Sequence, residues 1–66
     1  MTATNELRAL LIKNGYNQSK MAKEIGVSYQ TFSYKINNKA EFKVSEIETL
    51  CRLLGIVDKD KYFFCN

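Results

Sequence analysis

Sixty-six residues, 45% apolar and 26% charged, with no histidine, no proline and two cysteines, suffice for one small domain spanning 1–66. A chain of this size buries only about 60% of the surface its unfolded form exposes. Its core supplies about 3–5 kcal/mol, which leaves no room for a deep catalytic cleft.

The missing histidine removes the commonest general acid or base and the commonest metal ligand. Cys51 and Cys65 form no Cys-x-x-Cys metal or redox spacing. Neither enzymatic function, nor a cofactor, nor a small-molecule substrate is expected. The cysteines read as free thiols of a soluble, cytoplasmic protein rather than as a disulfide, and no signal peptide is evident. The longest apolar stretches, such as residues 9–12, fall far short of the roughly 18 residues a membrane span requires.

Ten Lys/Arg against seven Asp/Glu give a net charge of +3. Residues 1–43 hold seven basic and three acidic side chains, a net +4, and residues 44–66 hold three basic and four acidic, a net −1. The positive field belongs to the first two thirds of the chain, where a polyanionic partner would bind.

Apolar spacing predicts short helices joined by tight turns, and no run alternates with period two, so no sheet is expected. A first helix over 5–13 places Leu7, Leu10 and Leu11 on one stripe, with Thr4 as its N-cap and Gly15 just past its end. A second, over 18–25, is capped by Asn17 and closed by Gly26, with Met21, Ala22 and Ile25 facing the core. Ser28 caps a third, over 29–37, whose core pair is Phe32 and Ile36. Only Gly26, Val27 and Ser28 separate the second helix from the third, the tight connection of a helix-turn-helix over about 17–37. A polar loop anchored by Phe42 leads to a fourth helix over 44–54. There Ile47, Leu50, Cys51 and Leu54 form the stripe, Glu46 and Glu48 favour the N-terminal turn, and Gly55 follows. A final helical turn is expected over 58–63.

At about 100° per residue, Gln30, Ser33, Tyr34 and Asn37 fall on the arc of the third helix opposite Phe32 and Ile36. A merely solvated face usually carries Lys and Glu. This one carries amide, hydroxyl and phenol groups, short directional donors and acceptors of the kind that read base edges in the major groove. Lys39 and Lys43 in the following loop are placed to meet phosphates flanking that groove. Ser28 is first a cap, and its hydroxyl at the mouth of the helix is a further candidate phosphate contact.

The segment "NQSKMAKEIGVSYQTFSYKINNK" resembles the helix-turn-helix of the phage-repressor and Cro family, also called the XRE family. The matching residues are Gln18 opening the second helix, Ala22 at the helix crossing, Gly26 in the turn, Val27 and Ser28 entering the third helix, and Phe32 as its anchor. "VSEIETLCRLLGI" followed by "KYFF" is similar to the family's fourth and fifth helices, so the likeness covers most of the chain.

The resemblance implies an all-α, five-helix, lambda-repressor-like domain. It further implies that Gln18 touches a phosphate, that Tyr29, Gln30 and Tyr34 face bases, and that residues 37–39 bind the backbone. Lys35, Ile36 and Asn38 stand where the family pattern has an aromatic or aliphatic residue, a glutamate and a glycine. The core contact is therefore expected at Ile36, and Asn38 is expected to take the left-handed conformation.

The expected function is a sequence-specific, double-stranded-DNA-binding regulator, a Cro-like phage or prophage repressor occupying an operator. Phe63 and Phe64 are candidate contacts of a homodimer matched to a palindromic site. Without room for a second, effector-binding domain, a Cro-like protein is favoured over a full lysogeny repressor. Two other readings compete: a protein-interaction module such as an antitoxin, using the same fold, and an RNA binder stacking bases on Tyr29 and Tyr34. The second is weaker because helix tyrosines lack the sheet platform usual for single strands.

Overall fold

A computed structural model describes residues 1–64, and among these the regular secondary structure is entirely α-helical. The helices are α1 (Thr4–Lys13), α2 (Gln18–Ile25), α3 (Tyr29–Ile36), α4 (Val44–Leu54) and α5 (Lys59–Phe63). The expected boundaries hold to within a residue or two, because the turn residues act as anticipated. Gly26 and Gly55 end α2 and α4 in the left-handed conformation, with φ of +80° and +68°, where a side chain would be strained.

The start of α1 departs from the sequence reading. Thr4 is not the N-cap; Ala3 is, and it makes no side-chain cap bond. Thr4 lies inside the helix, and its hydroxyl donates to the Ile36 carbonyl at 2.7 Å, satisfying an orphan acceptor at the end of α3. A partner 32 positions away in the same chain has taken the hydroxyl that a local cap would have used.

Leu7 and Leu11 of α1, Met21 and Ala22 of α2, Phe32 and Ile36 of α3, and Ile47, Leu50 and Leu54 of α4 form one buried cluster. Phe42 bridges its lower half, meeting Phe32 edge-on at 5.8 Å and Phe63 at 5.6 Å, a preferred aromatic geometry. Phe63 is thus a core residue, only 4% exposed, which corrects its assignment as a dimer contact. A 66-residue chain has too little other apolar volume to close its base without it. Phe64, at 54% exposed, remains outside.

The N-terminal residues are also part of the fold. The Ala3 amide donates to the Tyr62 carbonyl at 2.8 Å and the Met1 amine to the Phe63 carbonyl at 3.3 Å, tying the chain start to α5. Cys51 is half-buried and unbridged to any described residue, and burial pushes its thiol pKa up, with Lys59 opposing and Glu48 reinforcing. A protonated thiol is a poor nucleophile. The free-thiol expectation for Cys65 lies outside the described residues. Among the described residues, no helix is long and apolar enough to cross a membrane, and no three potential metal ligands converge.

Candidate nucleic-acid interface

Asn17 opens α2 from an extended backbone, its Oδ1 accepting the Lys20 amide at 2.8 Å. This fixes where Gln18 stands, half-buried at the first helical position. After Gly26, the Val27 amide returns to the Ala22 carbonyl at 2.9 Å, and the chain turns straight into α3. Ser28 caps α3, its Oγ accepting the Thr31 amide at 3.1 Å while its hydroxyl donates to Thr31 Oγ1 at 2.9 Å. Both functions of that hydroxyl stay within the first turn. A phosphate would have to displace Thr31 to receive its proton.

With Phe32 and Ile36 fully buried, the orientation of α3 about its axis is set, and its opposite arc is turned outward. Gln30 is exposed there, and its Nε2 donates to Tyr34 Oη at 3.3 Å. Tyr34 is 46% exposed and Tyr29 57%, so neither has been drawn into the core. The Lys39 ammonium lies 5.7 Å from the Tyr34 ring centroid, within cation–π range. Lys43 is exposed, and its amide donates to Glu46 Oε1 at 2.8 Å as part of a capping arrangement on α4. Gln30, Tyr34 and Lys39 therefore form one exposed, hydrogen-bonding surface.

Ser33 and Asn37 are half-buried beside it. Asn37 donates through Nδ2 to the Ser33 carbonyl at 2.8 Å and to Ser33 Oγ at 3.4 Å, while its Oδ1 accepts from Arg8 at 3.1 Å. Its amide is engaged at both ends. Asn38 adopts φ of +65° as expected. Its side chain also pairs with the backbone of Thr2, accepting the amide at 2.7 Å and donating to the carbonyl at 3.0 Å.

Three of these features were not legible in the sequence. Lys35 and Glu46 are each only 7% exposed and form a 2.6 Å ion pair between α3 and α4. Lys35 adjoins the core arc, a sign that its stem would be covered, but nothing marked Glu46 as its partner. Burial opposes ionisation of Glu46, yet the Lys35 bond, the Lys43 amide and both lysine charges outweigh it and lower its pKa. The pair also redraws the charge map. With Lys35 and Glu46 neutralising each other, the first two thirds present +3 and the remainder zero. The Arg8–Asn37 and Asn38–Thr2 bonds, across 29 and 36 positions, likewise had no local signal.

With its apolar face packed in the core, α3 presents amide and phenol groups beside exposed lysines, residue types that can pair with base edges and phosphates. The chain matches the family model of the Cro/C1-type helix-turn-helix DNA-binding domain over residues 6–57, and it belongs to that family. It is accordingly a DNA-binding regulator. The matched span covers most of α1 and runs past α4, leaving out α5 and its core residue Phe63. No curated protein matches the chain.

Proposed function

We propose that this protein is a single-domain, sequence-specific repressor of the Cro-like phage or prophage type, acting by occupying an operator in duplex DNA. The observation that carries this reading is the outward arc of α3, where Gln30 and Tyr34 are exposed and hydrogen-bonded. In this reading α3 enters the major groove, with Tyr29, Gln30, Ser33 and Tyr34 toward the bases. Gln can bond adenine at two positions. Gln18, Ser28, Lys39 and Lys43 line the flanking backbone and set the register, with Asn37 beside them at the end of α3.

Phe64, exposed beside a recess of about 380 Å³ that is lined in part by Met1, Phe42 and Ile47, is the proposed contact of a homodimer. Isologous pairing through it would match a palindromic site. Selecting bound sequences from a random duplex pool tests the reading: a defined, two-fold-symmetric motif is expected. Equal affinity for selected and random duplexes at about 0.15 M salt would falsify it in favour of a protein-interaction module.

A further inference from the structure

Arg8 lies on α1, outside the helix-turn-helix, and it is exposed. One guanidinium nitrogen donates to Asn37 Oδ1 at 3.1 Å. Among the described residues, no carboxylate pairs with it. A neutral amide holds the group in place without cancelling its charge, and most of its five N–H donors remain open. The bond is not needed to join α1 to the end of α3. Thr4 already reaches the Ile36 carbonyl, and Asn38 already pairs with Thr2 on both sides.

Asn37 is oriented from its other side by Ser33, whose carbonyl and hydroxyl accept from its Nδ2. Its oxygen therefore stays aimed at Arg8. On the other side, Arg8 borders an open groove of about 320 Å³ between α1 and the start of α2, which it shares with Ile12, Tyr16, Asn17 and Gln18. Gln18 is the proposed backbone contact at the entrance to the helix-turn-helix. The cation thus stands between Asn37 at the end of α3 and Gln18 at the start of α2, the two ends of the motif.

We infer that Arg8 contacts a DNA phosphate directly, adding a clamp from α1, and that Asn37 is a positioning residue that acts by orienting Arg8 rather than by binding phosphate itself. This rests on the α3-in-groove reading above. The planar guanidinium fork suits a phosphate better than an ammonium does, and an arginine anchored at one nitrogen loses less freedom on binding.

The test measures affinity for a labelled mixed-sequence duplex as salt is raised from about 50 to 200 mM, where each neutralised phosphate contributes about 0.9 to the log–log slope. Arg8→Gln should weaken binding to all duplexes by a similar factor and make the slope shallower by about 0.9, while unfolding at the wild-type temperature. Arg8→Lys should restore most of the slope. Arg52→Gln, the same charge removed from α4, should leave the slope unchanged. Asn37→Ala should weaken binding in the wild type but add nothing in the Arg8→Gln background.

An unchanged slope with a lowered melting temperature would show a structural staple and overturn the proposal. Equal slope changes for Arg8→Gln and Arg52→Gln, or additive losses for Arg8 and Asn37, would overturn it too. In each of these cases wild-type binding stays salt-dependent, and the DNA-binding reading survives. Absence of salt-dependent duplex binding by the wild type itself would remove both.

Discussion

At the scale of single residues, Gln30 and Lys39 make opposite predictions although they lie on one surface. If Gln30 reads a base as proposed, Gln30→Ala should relax preference at one operator position at a cost of about 1–3 kcal/mol on the selected site. Lys39→Ala removes a charge, so it should weaken all duplexes evenly and make the salt slope shallower by about 1. A binding panel of single-base operator variants separates the two. Asn38 sets two effects against each other. Glycine would relieve the left-handed backbone, a relief of at most about 1 kcal/mol because asparagine tolerates that region. It would also remove both side-chain bonds to Thr2, each contributing about 0.5–1.5 kcal/mol. Asn38→Gly is therefore expected to be destabilising by about 1 kcal/mol, read by denaturant unfolding. A gain in stability would show that backbone strain dominates.

At the scale of helices, α3 is held by unlike forces on its two sides. Phe32 and Ile36 bury one flank, and Lys35 ties the other to Glu46 at the start of α4. Removing one member leaves a poorly solvated charge, so Glu46→Gln should destabilise by about 1.5–3 kcal/mol, the range for hydrogen bonds to charged groups. Replacing both, Lys35→Met with Glu46→Gln, should recover part of that loss because no unpaired charge remains. The pair also sets an acid limit. The folded-state pKa of Glu46 lies below its unfolded value, so its contribution is present above the unfolded value and is lost as pH falls through the folded one. Thermal melts of the wild type should fall over that acidic range, and Glu46→Gln should flatten this part of the profile. The helix boundaries were readable because caps and left-handed glycines are local devices. The ion pair was not, because its halves lie eleven positions apart on different helices.

At the scale of the whole molecule, the backbone of the described residues spans 25 × 24 × 21 Å and holds one helix-turn-helix. Half-sites one helical turn apart are roughly 34 Å from centre to centre, and with one α2–α3 pair per chain, reading a palindrome on one face of the duplex takes two copies. Sedimentation with the selected duplex should show two chains per site, and Phe64→Ser should reduce this to one without unfolding the domain. Two chains bound by that variant would exclude Phe64 as the contact. Phe63→Ser, by contrast, should unfold much of the protein, because truncating a buried phenylalanine costs about 3–5 kcal/mol, comparable with the entire stability of a domain this small.

The amino-acid sequence alone determined the five helices, the helix-turn-helix and the outward arc of α3, because helical periodicity, caps and short turns act over three or four residues. Only the tertiary structure decided which of two adjacent phenylalanines closes the core, which lysine is withdrawn from the basic surface, and which arginine stands beside the end of α3. Those choices depend on contacts between distant segments. Arg8 with Asn37, Lys35 with Glu46, and Asn38 with Thr2 are each set by where whole helices pack. The initial +3 is accordingly a surface property: after the buried pair is removed, all of it lies on residues 1–43, the segment that carries α3.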